Sequence, residues 1–448
     1  MEIKELTNHA QNKELYKRAC KVIAGGVMSN YKRDEGYEPV YVESVDGAWL
    51  IDYDGNRYLD YAISSGPDIL GHSNENYKAA LKAQIDKMYT NSISLLQIEC
   101  AEKIQKLIPS AELVRFDTSG TAAVYNAIRV ARGYTGKNMF VKFSAHYHGG
   151  VDYILGGVVE DPENPVVSEG FNEKDPFTIQ CNTNGRAKGS LENCYMLEFN
   201  DLNTLRKLFE DKADDIACVI MEPVNINTNG CYPLPGYLEG VRELCTQYNV
   251  VLIFDETITG FRMGLSGAQG YFGVTPDMST FAKAIGGGFP VSVYCGKKEI
   301  MDVCTRTEVL SVGTYNGHPL GCAAILATIS ELEKENGAVF KRLEKLGTML
   351  KEGFLQAAEK NGVNIIVQGF PAALNVVFTQ KEQIINNADS LIHSDILKTA
   401  TFTTLMKERG IISNYRFCLT AAHTEDDILY TIAAAEDVFG LMADLGLA

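Results

Sequence analysis

Apolar and polar positions along the 448-residue chain fall into two rhythms, one helical and one strand-like. A polar, helix-compatible stretch from Asn8 to Ile23 stops at Gly25-Gly26, because paired glycines break a helix. Two strand-like runs, Tyr41 to Glu43 and Ala48 to Tyr53, lead into Asp54-Gly55, a dipeptide that favours a hairpin turn. Helical spacing predicts Asn76 to Met88 and Ile98 to Ile108, the second ended by Pro109. From Leu113 the texture changes. Short apolar runs such as Cys218–Met221 and Val250–Phe254 lack strict alternation and end in an acid or a turn. Between them lie amphipathic stretches at Thr121–Gly133, Leu202–Asp211 and Gly236–Tyr248. That alternation predicts a parallel sheet covered by helices on both faces, with right-handed crossovers. Beyond Asn316 a long helical stretch, Gly317 to Lys360, is interrupted at Gly337. Strands at Ile365–Gln368, Leu374–Phe378 and Ile411–Ser413 and helices at Ile392–Glu408 and Glu425–Met442 complete the chain. The reading is an α/β chain: a large α/β domain with a mostly parallel sheet covered by helices, followed by a smaller α+β domain.

Composition narrows the function classes. Fifty-seven acidic and 41 basic side chains leave a formal net charge of −16, and 46% of the residues are hydrophobic. This is enough apolar material for a large core, and length predicts two or three domains. The acidic excess argues against nucleic acid or an anionic membrane as partner, since both require a basic face. No apolar run reaches membrane-span length. Met1 to Ala24 carry charges throughout and lack the apolar stretch of a secretory signal. The 11 cysteines include no Cys-x-x-Cys pair, so disulfide frameworks and zinc ribbons are poor readings. A cytoplasmic protein with reduced, mostly buried thiols is expected.

Candidate chemistry begins with what is missing. The chain has no G-x-x-x-x-G-K-[ST] loop, no H-E-x-x-H and no G-x-S-x-G, the marks of three common enzyme classes. Of seven histidines only His146 and His148 are close together. Without neighbouring carboxylate or cysteine ligands a loop role suits them better than a metal, and no metal is expected.

Three positive features remain. Thr118-Ser119-Gly120-Thr121 follows the strand-like Leu113–Phe116 and opens a helix. Such a turn presents free N–H groups and the positive dipole end to a phosphate, although a plain Ser/Thr cap has the same sequence. The apolar run Val250–Phe254 delivers Asp255 to the carboxyl end of a buried strand, where ligands of open α/β sheets gather. A structural ion pair is the plain alternative. Lys283 stands between an apolar run and Gly286-Gly287-Gly288. Lysine among apolar neighbours can lose its proton and act as an imine-forming amine, whereas most lysines are simply solvated. Together the three supply a phosphate cradle, an acid for a pyridinium nitrogen and an amine for a Schiff base, the parts of a pyridoxal-phosphate site.

At this point the sequence resembles the class III (ornithine/γ-aminobutyrate-type) aminotransferases, and within them the glutamate-1-semialdehyde aminomutase branch. The matching stretches include GGVMSNYKR (25–33), DYDGNRYLDY (52–61), VRFDTSGTAA (114–123), YHG (147–149), VIMEPV (219–224), LIFDETITGFR (252–262), GYFGVTPDMSTFAKAIGGGFPV (270–291) and GTYNGHP (313–319). They run from Gly25 to the C-terminal helix. The resemblance implies fold-type I, pyridoxal 5'-phosphate as cofactor, and a homodimer with active sites at the subunit boundary. It divides the chain into an N-terminal segment (1–70) that joins the small domain, a large cofactor-binding domain (71–320) and a C-terminal small domain (321–448). By the same resemblance, Lys283 matches the Schiff-base lysine and Asp255 the acid on the pyridine nitrogen. Ser119, Gly120 and Thr121 match the phosphate turn, and Thr314 the threonine offered to the neighbouring subunit's phosphate. Tyr147 falls where a ring stacks on the cofactor, Thr257 on the opposite ring face, and Glu222 in the supporting Glu-Pro-Val stretch. Ser29 and Lys32 fall in the substrate-binding segment.

The departures from that branch bear on the reaction. Ala122 stands where aminomutases carry glutamate, Lys32 replaces a carboxylate-gripping arginine with Arg33 following, and Ser65 replaces a tryptophan. Tyr415-Arg416-Phe417 occupies the place of an aminomutase glutamate. Arg416 lines up with the arginine that class III transaminases use for an α-carboxylate, a task suited to a guanidinium fork; a surface arginine is the plain alternative. The expected function is an aminotransferase that moves an amino group from an α-amino acid, glutamate being the expected donor, to a carbonyl acceptor. The alternatives are an aminomutase of the glutamate-1-semialdehyde type and a non-catalytic cofactor-binding dimer.

Overall fold

Val250 to Phe254, the apolar run that ends in Asp255, forms the middle of the main sheet. A computed structural model describes residues 5–32, 39–156, 185, 187, 190 and 192–447. In chain order the strands are β1 (Val42–Asp46), β2 (Trp49–Asp52), β3 (Arg57–Asp60), β4 (Leu113–Asp117), β5 (Met139–Phe143), β6 (Cys194–Leu197), β7 (Ile216–Met221), β8 (Val251–Asp255), β9 (Met278–Phe281) and β10 (Ser292–Gly296). β11 (Ile365–Phe370), β12 (Ala373–Phe378), β13 (Ile411–Ile412) and β14 (Arg416–Cys418) follow.

The main sheet has seven strands in the order β4-β10-β9-β8-β7-β5-β6. Every residue of β7 and β8 is buried, which explains why their sequences run apolar without alternation. On one face lies helix Gly120–Thr135 with Ala123, Ala127 and Val130 turned inward. Helices Leu202–Lys212 and Tyr237–Gln247 cover the other through Leu205, Leu208, Val241 and Leu244. Each buried valine or leucine among these contributes about 1.5–3 kcal/mol relative to exposure.

The sheet is mostly parallel, as the sequence reading has it, with one strand reversed. β10 runs antiparallel to both β9 and β4. Only the short stretch 282–291 joins β9 to β10, and a parallel return needs a crossover of about a dozen residues or more. The tight return is the segment that carries Lys283.

The smaller sheets also refine the sequence reading. β1, β2 and β3 form two successive antiparallel pairs, turning at Gly47 (φ 58°) and at Asp54-Gly55, so β1 runs past Glu43 to Asp46. β13 joins β3 in parallel, which ties the N-terminal segment to the C-terminal part of the chain. β11, β12 and β14 form a separate antiparallel sheet. The long helix Pro319–Lys360 is kinked across Lys334–Gly337, where Glu335, Asn336 and Gly337 have φ of 50°, 55° and 77°. This is the break expected at Gly337. The single helix expected at Ile392–Glu408 is two, Asn387–His393 and Ile396–Glu408.

Among the described residues ten cysteines are free, nine of them buried. No described helix is long and apolar enough to cross a membrane. Cys181 and Arg33 lie outside the described residues.

Candidate active site

Parallel strands send their carboxyl ends to one edge of the sheet, and the candidate residues gather there. β4 leads to Thr118–Thr121, β5 to His146–Gly149, β7 to Glu222, β8 to Asp255 and β9 to Lys283. The sheet therefore brings together residues that are far apart in sequence.

Asp255 is buried and accepts three hydrogen bonds. His148 Nδ1 lies 2.8 Å from Oδ2, while Thr257 N and Thr280 Oγ1 each donate to Oδ1 at 3.0 Å. Burial alone would raise its pKa, but the bonds from His148 and Thr257 hold the carboxyl below its ordinary value. Burial in turn lowers the pKa of His148, against the hydrogen bond and the charge of Asp255. An imidazole, an amide and a hydroxyl leave the anion without a fixed cation among these partners. A buried negative charge of this kind suits a cationic group placed beside it.

Lys283 begins the turn after β9 in a left-handed conformation, φ 52°. Burial pushes its pKa down to about 8, and the charge of Arg416 pushes the same way, against Glu222 and Asp255. Glu222 is buried, and burial followed by the charge of Asp255 moves its carboxyl up to about 7. Tyr147 N donates to Glu222 Oε1 at 2.8 Å, and Asn227 Nδ2 reaches Oε1 and Oε2 at 2.8 and 2.9 Å. The other end of Asn227 accepts from Arg416 Nη1 at 3.0 Å. Arg416 is thus half-buried at the start of β14, linked through Asn227 to Glu222 and close enough to Lys283 for its charge to act there.

At the turn after β4, Ser119 caps helix Gly120–Thr135 by accepting from Ala122 N at 3.2 Å. Both the helix start and the plain cap read from this sequence are present. A Cβ at Gly120 would lie 3.3 Å from Thr257 Oγ1 and 3.4 Å from the Ala282 methyl. A Cβ at Gly149 would come within 2.6 Å of Thr121 Oγ1. Glycine at both places keeps the space beside the helix N-terminus open, as an anion cradle requires. With the anionic Asp255 and the weakened amine of Lys283, the residues present fit pyridoxal phosphate.

The remaining candidates stand at the margin. Tyr147 and Thr257 are half-buried. Ser29 O accepts from Lys32 N at 2.9 Å, and Lys32 is exposed with its charge acting on Asp68. Thr314 is exposed, and its carbonyl accepts from Asn91 Nδ2. Sequence reasoning missed Asn227 and assigned His148 a loop role. Among the described residues no His/Cys/Asp/Glu group could hold a metal.

Residues 30–415 match the class-III aminotransferase family. The chain is 38% identical over 442 residues to a glutamate-1-semialdehyde 2,1-aminomutase of Desulfitobacterium hafniense, covering 96% of this chain and 97% of that one. An omega-transaminase from Sphaerobacter thermophilus superposes with a TM-score of 0.89 at 27% identity, covering 98% of this chain and all of that one. A glutamate-1-semialdehyde aminomutase variant of Pseudomonas aeruginosa in complex with PMP shares the fold, with a TM-score of 0.85, 22% identity, and 96% and 94% of the two chains covered. With the sheet-edge cluster and these likenesses in hand, the chain belongs to the class III aminotransferases, enzymes that depend on pyridoxal phosphate.

Proposed function

We propose that the protein is an aminotransferase that takes its amino group from an α-amino acid, with glutamate as donor, and passes it to a carbonyl acceptor. The observation that carries this reading is the guanidinium of Arg416, held by Asn227 within charge reach of Lys283. An α-amino acid presents a carboxylate one bond from the carbon whose proton must move. A guanidinium fork beside the catalytic amine matches that spacing.

When bound, pyridoxal phosphate supplies an aldehyde that takes up amino groups and a ring that draws electrons from the adjoining carbon. Lys283 would hold the aldehyde, and its Nζ would move the proton from the donor's α-carbon. A pKa near 8 leaves part of the amine neutral and basic at physiological pH. Asp255 would keep the ring nitrogen protonated. Ser119, Gly120 and Thr121 would bind the phosphate, Tyr147 and Thr257 would pack on the two ring faces, and Glu222 would anchor Asn227. Thr314 would serve the second subunit of a homodimer, and Ser29 and Lys32 would border the substrate.

A second reading, an aminomutase that moves the group within one molecule, draws on the 38% identical relative of that name. Arg416→Ala separates the two. Loss of a charge-assisted bidentate contact of about 1.5–3 kcal/mol should raise KM for glutamate roughly ten- to a hundredfold, with Arg416→Lys recovering only part. Glutamate deaminated as well by Arg416→Ala as by the parent would remove Arg416 from the donor site and favour the mutase.

A further inference from the structure

Arg262 is among the most deeply buried large side chains in the protein, with 2% of its surface exposed. Among the described residues it forms no ion pair. Its guanidinium is bonded to three backbone carbonyls instead: Nη2 donates to Gly66 O at 2.6 Å, and Nη1 to Leu419 O at 2.8 Å and Ala372 O at 3.3 Å. Nε has no hydrogen-bond partner among the described residues. The charge of Asp68 reaches it without forming an ion pair, and a buried cation bonded only to carbonyls is an expensive way to fill a core, so its bonded segments indicate its use.

Those segments border the catalytic cluster. Gly66 ends a turn in which Ile63, Ser64, Ser65 and Gly66 all have positive φ, at 37°, 54°, 72° and 114°. Three successive non-glycine residues in that region persist only where surrounding structure fixes them. Asp60 holds one end of the turn by accepting from Ile63 N at 2.9 Å, and Arg262 holds the other. The turn lies against the catalytic amine's stem, since a Cβ on Gly66 would sit 3.6 Å from Lys283 Cδ. Leu419 follows directly on β14, the strand that opens with Arg416, and its N donates to Ala372 O at 3.0 Å. Arg262 itself lies on the loop that leaves β8 after Asp255.

We propose that Arg262 is a positioning residue that locks the turn Ile63–Gly66 against Lys283 and fixes the end of β14, thereby setting the separation of Lys283 from Arg416. The proposal rests on Arg416 being the receptor for the donor carboxylate. A lysine at 262 keeps the charge but cannot span three carbonyls, and a glutamine keeps a planar donor without the reach.

The test uses the holoenzyme carrying Arg262→Gln and Arg262→Lys, with Arg416→Ala alongside. Steady-state kinetics with glutamate should show KM raised about tenfold in Arg262→Gln with kcat changed about twofold or less, in line with lost charge-assisted hydrogen bonds, and a smaller rise in Arg262→Lys. Hydrogen exchange followed by mass spectrometry should accelerate in the peptide spanning 61–70 while those spanning β7 and β8 keep their protection. Unchanged KM and exchange, exchange accelerated everywhere, or failure of both variants to fold would each overturn the proposal, the last two by giving Arg262 a general folding role. If Arg416→Ala raises KM and the Arg262 variants do not, the Arg262 proposal falls alone. If Arg416→Ala leaves KM unchanged, the donor-site reading falls and this proposal with it.

Discussion

Lys283 acquires its chemistry from where the turn after β9 leaves it. Burial, with Arg416 adding to it, lowers its pKa to about 8, so its charged form prevails below that pH and the neutral nucleophile above it. The rate at which apoprotein captures pyridoxal phosphate should therefore rise through a midpoint near pH 8 and level off before the ordinary lysine range. Stopped-flow absorbance across pH 6 to 11 gives the profile, and a midpoint above pH 10 would show an ordinary solvated amine. Lys283, Asp255 and the Ser119–Thr121 turn were legible in sequence because each follows an apolar strand directly. His148 and Asn227 were not. Their decisive partners lie 107 and 189 positions away, Asp255 for one and Arg416 for the other, and no local pattern encodes such a contact.

Local chemistry explains most element boundaries, and it also explains the misses. The helix expected at Ile392–Glu408 is divided because Asp395 caps a new one, its carboxylate accepting from Lys398 N at 2.9 Å. Apolar spacing alone runs through that cap. Asp395→Ala should lower stability by about 1 kcal/mol, read from the urea midpoint with an unchanged slope; an unaltered midpoint would mean that the cap contributes nothing. The break near Gly337 was readable because glycine accepts positive φ without strain. β14 was missed because three residues, Arg416 to Cys418, are too few to show a period of two. It exists through its pairing with β12, a contact made only once the chain has folded. β10 is buried throughout and pairs antiparallel with β9, a direction set by the short connection before it.

Across the whole molecule, apolar surface is left where a partner would sit. Tyr89, Ile93, Leu95 and Ile98 are 66%, 97%, 66% and 56% exposed, and Leu310, Val312 and Tyr315 are 63%, 73% and 62% exposed. Gln97 Nε2 bonds Gly317 O at 2.6 Å, and Asn91 bonds Thr314 O, so the two segments adjoin. Monomers rarely leave so many large apolar groups together in water. This supports the proposed homodimer, in which Thr314 would lie on the shared face. Ile93→Asp combined with Val312→Asp should sediment at one-chain mass and retain pyridoxal phosphate poorly; a parent that itself sediments as one chain would contradict the shared site. The central claim, amino transfer from glutamate, is tested most directly by one turnover. Holo-protein mixed with glutamate and no acceptor should lose its visible cofactor band and release about one 2-oxoglutarate per chain, as a group-transfer half-reaction requires. A band left unchanged by glutamate, with no 2-oxoglutarate formed, would contradict it.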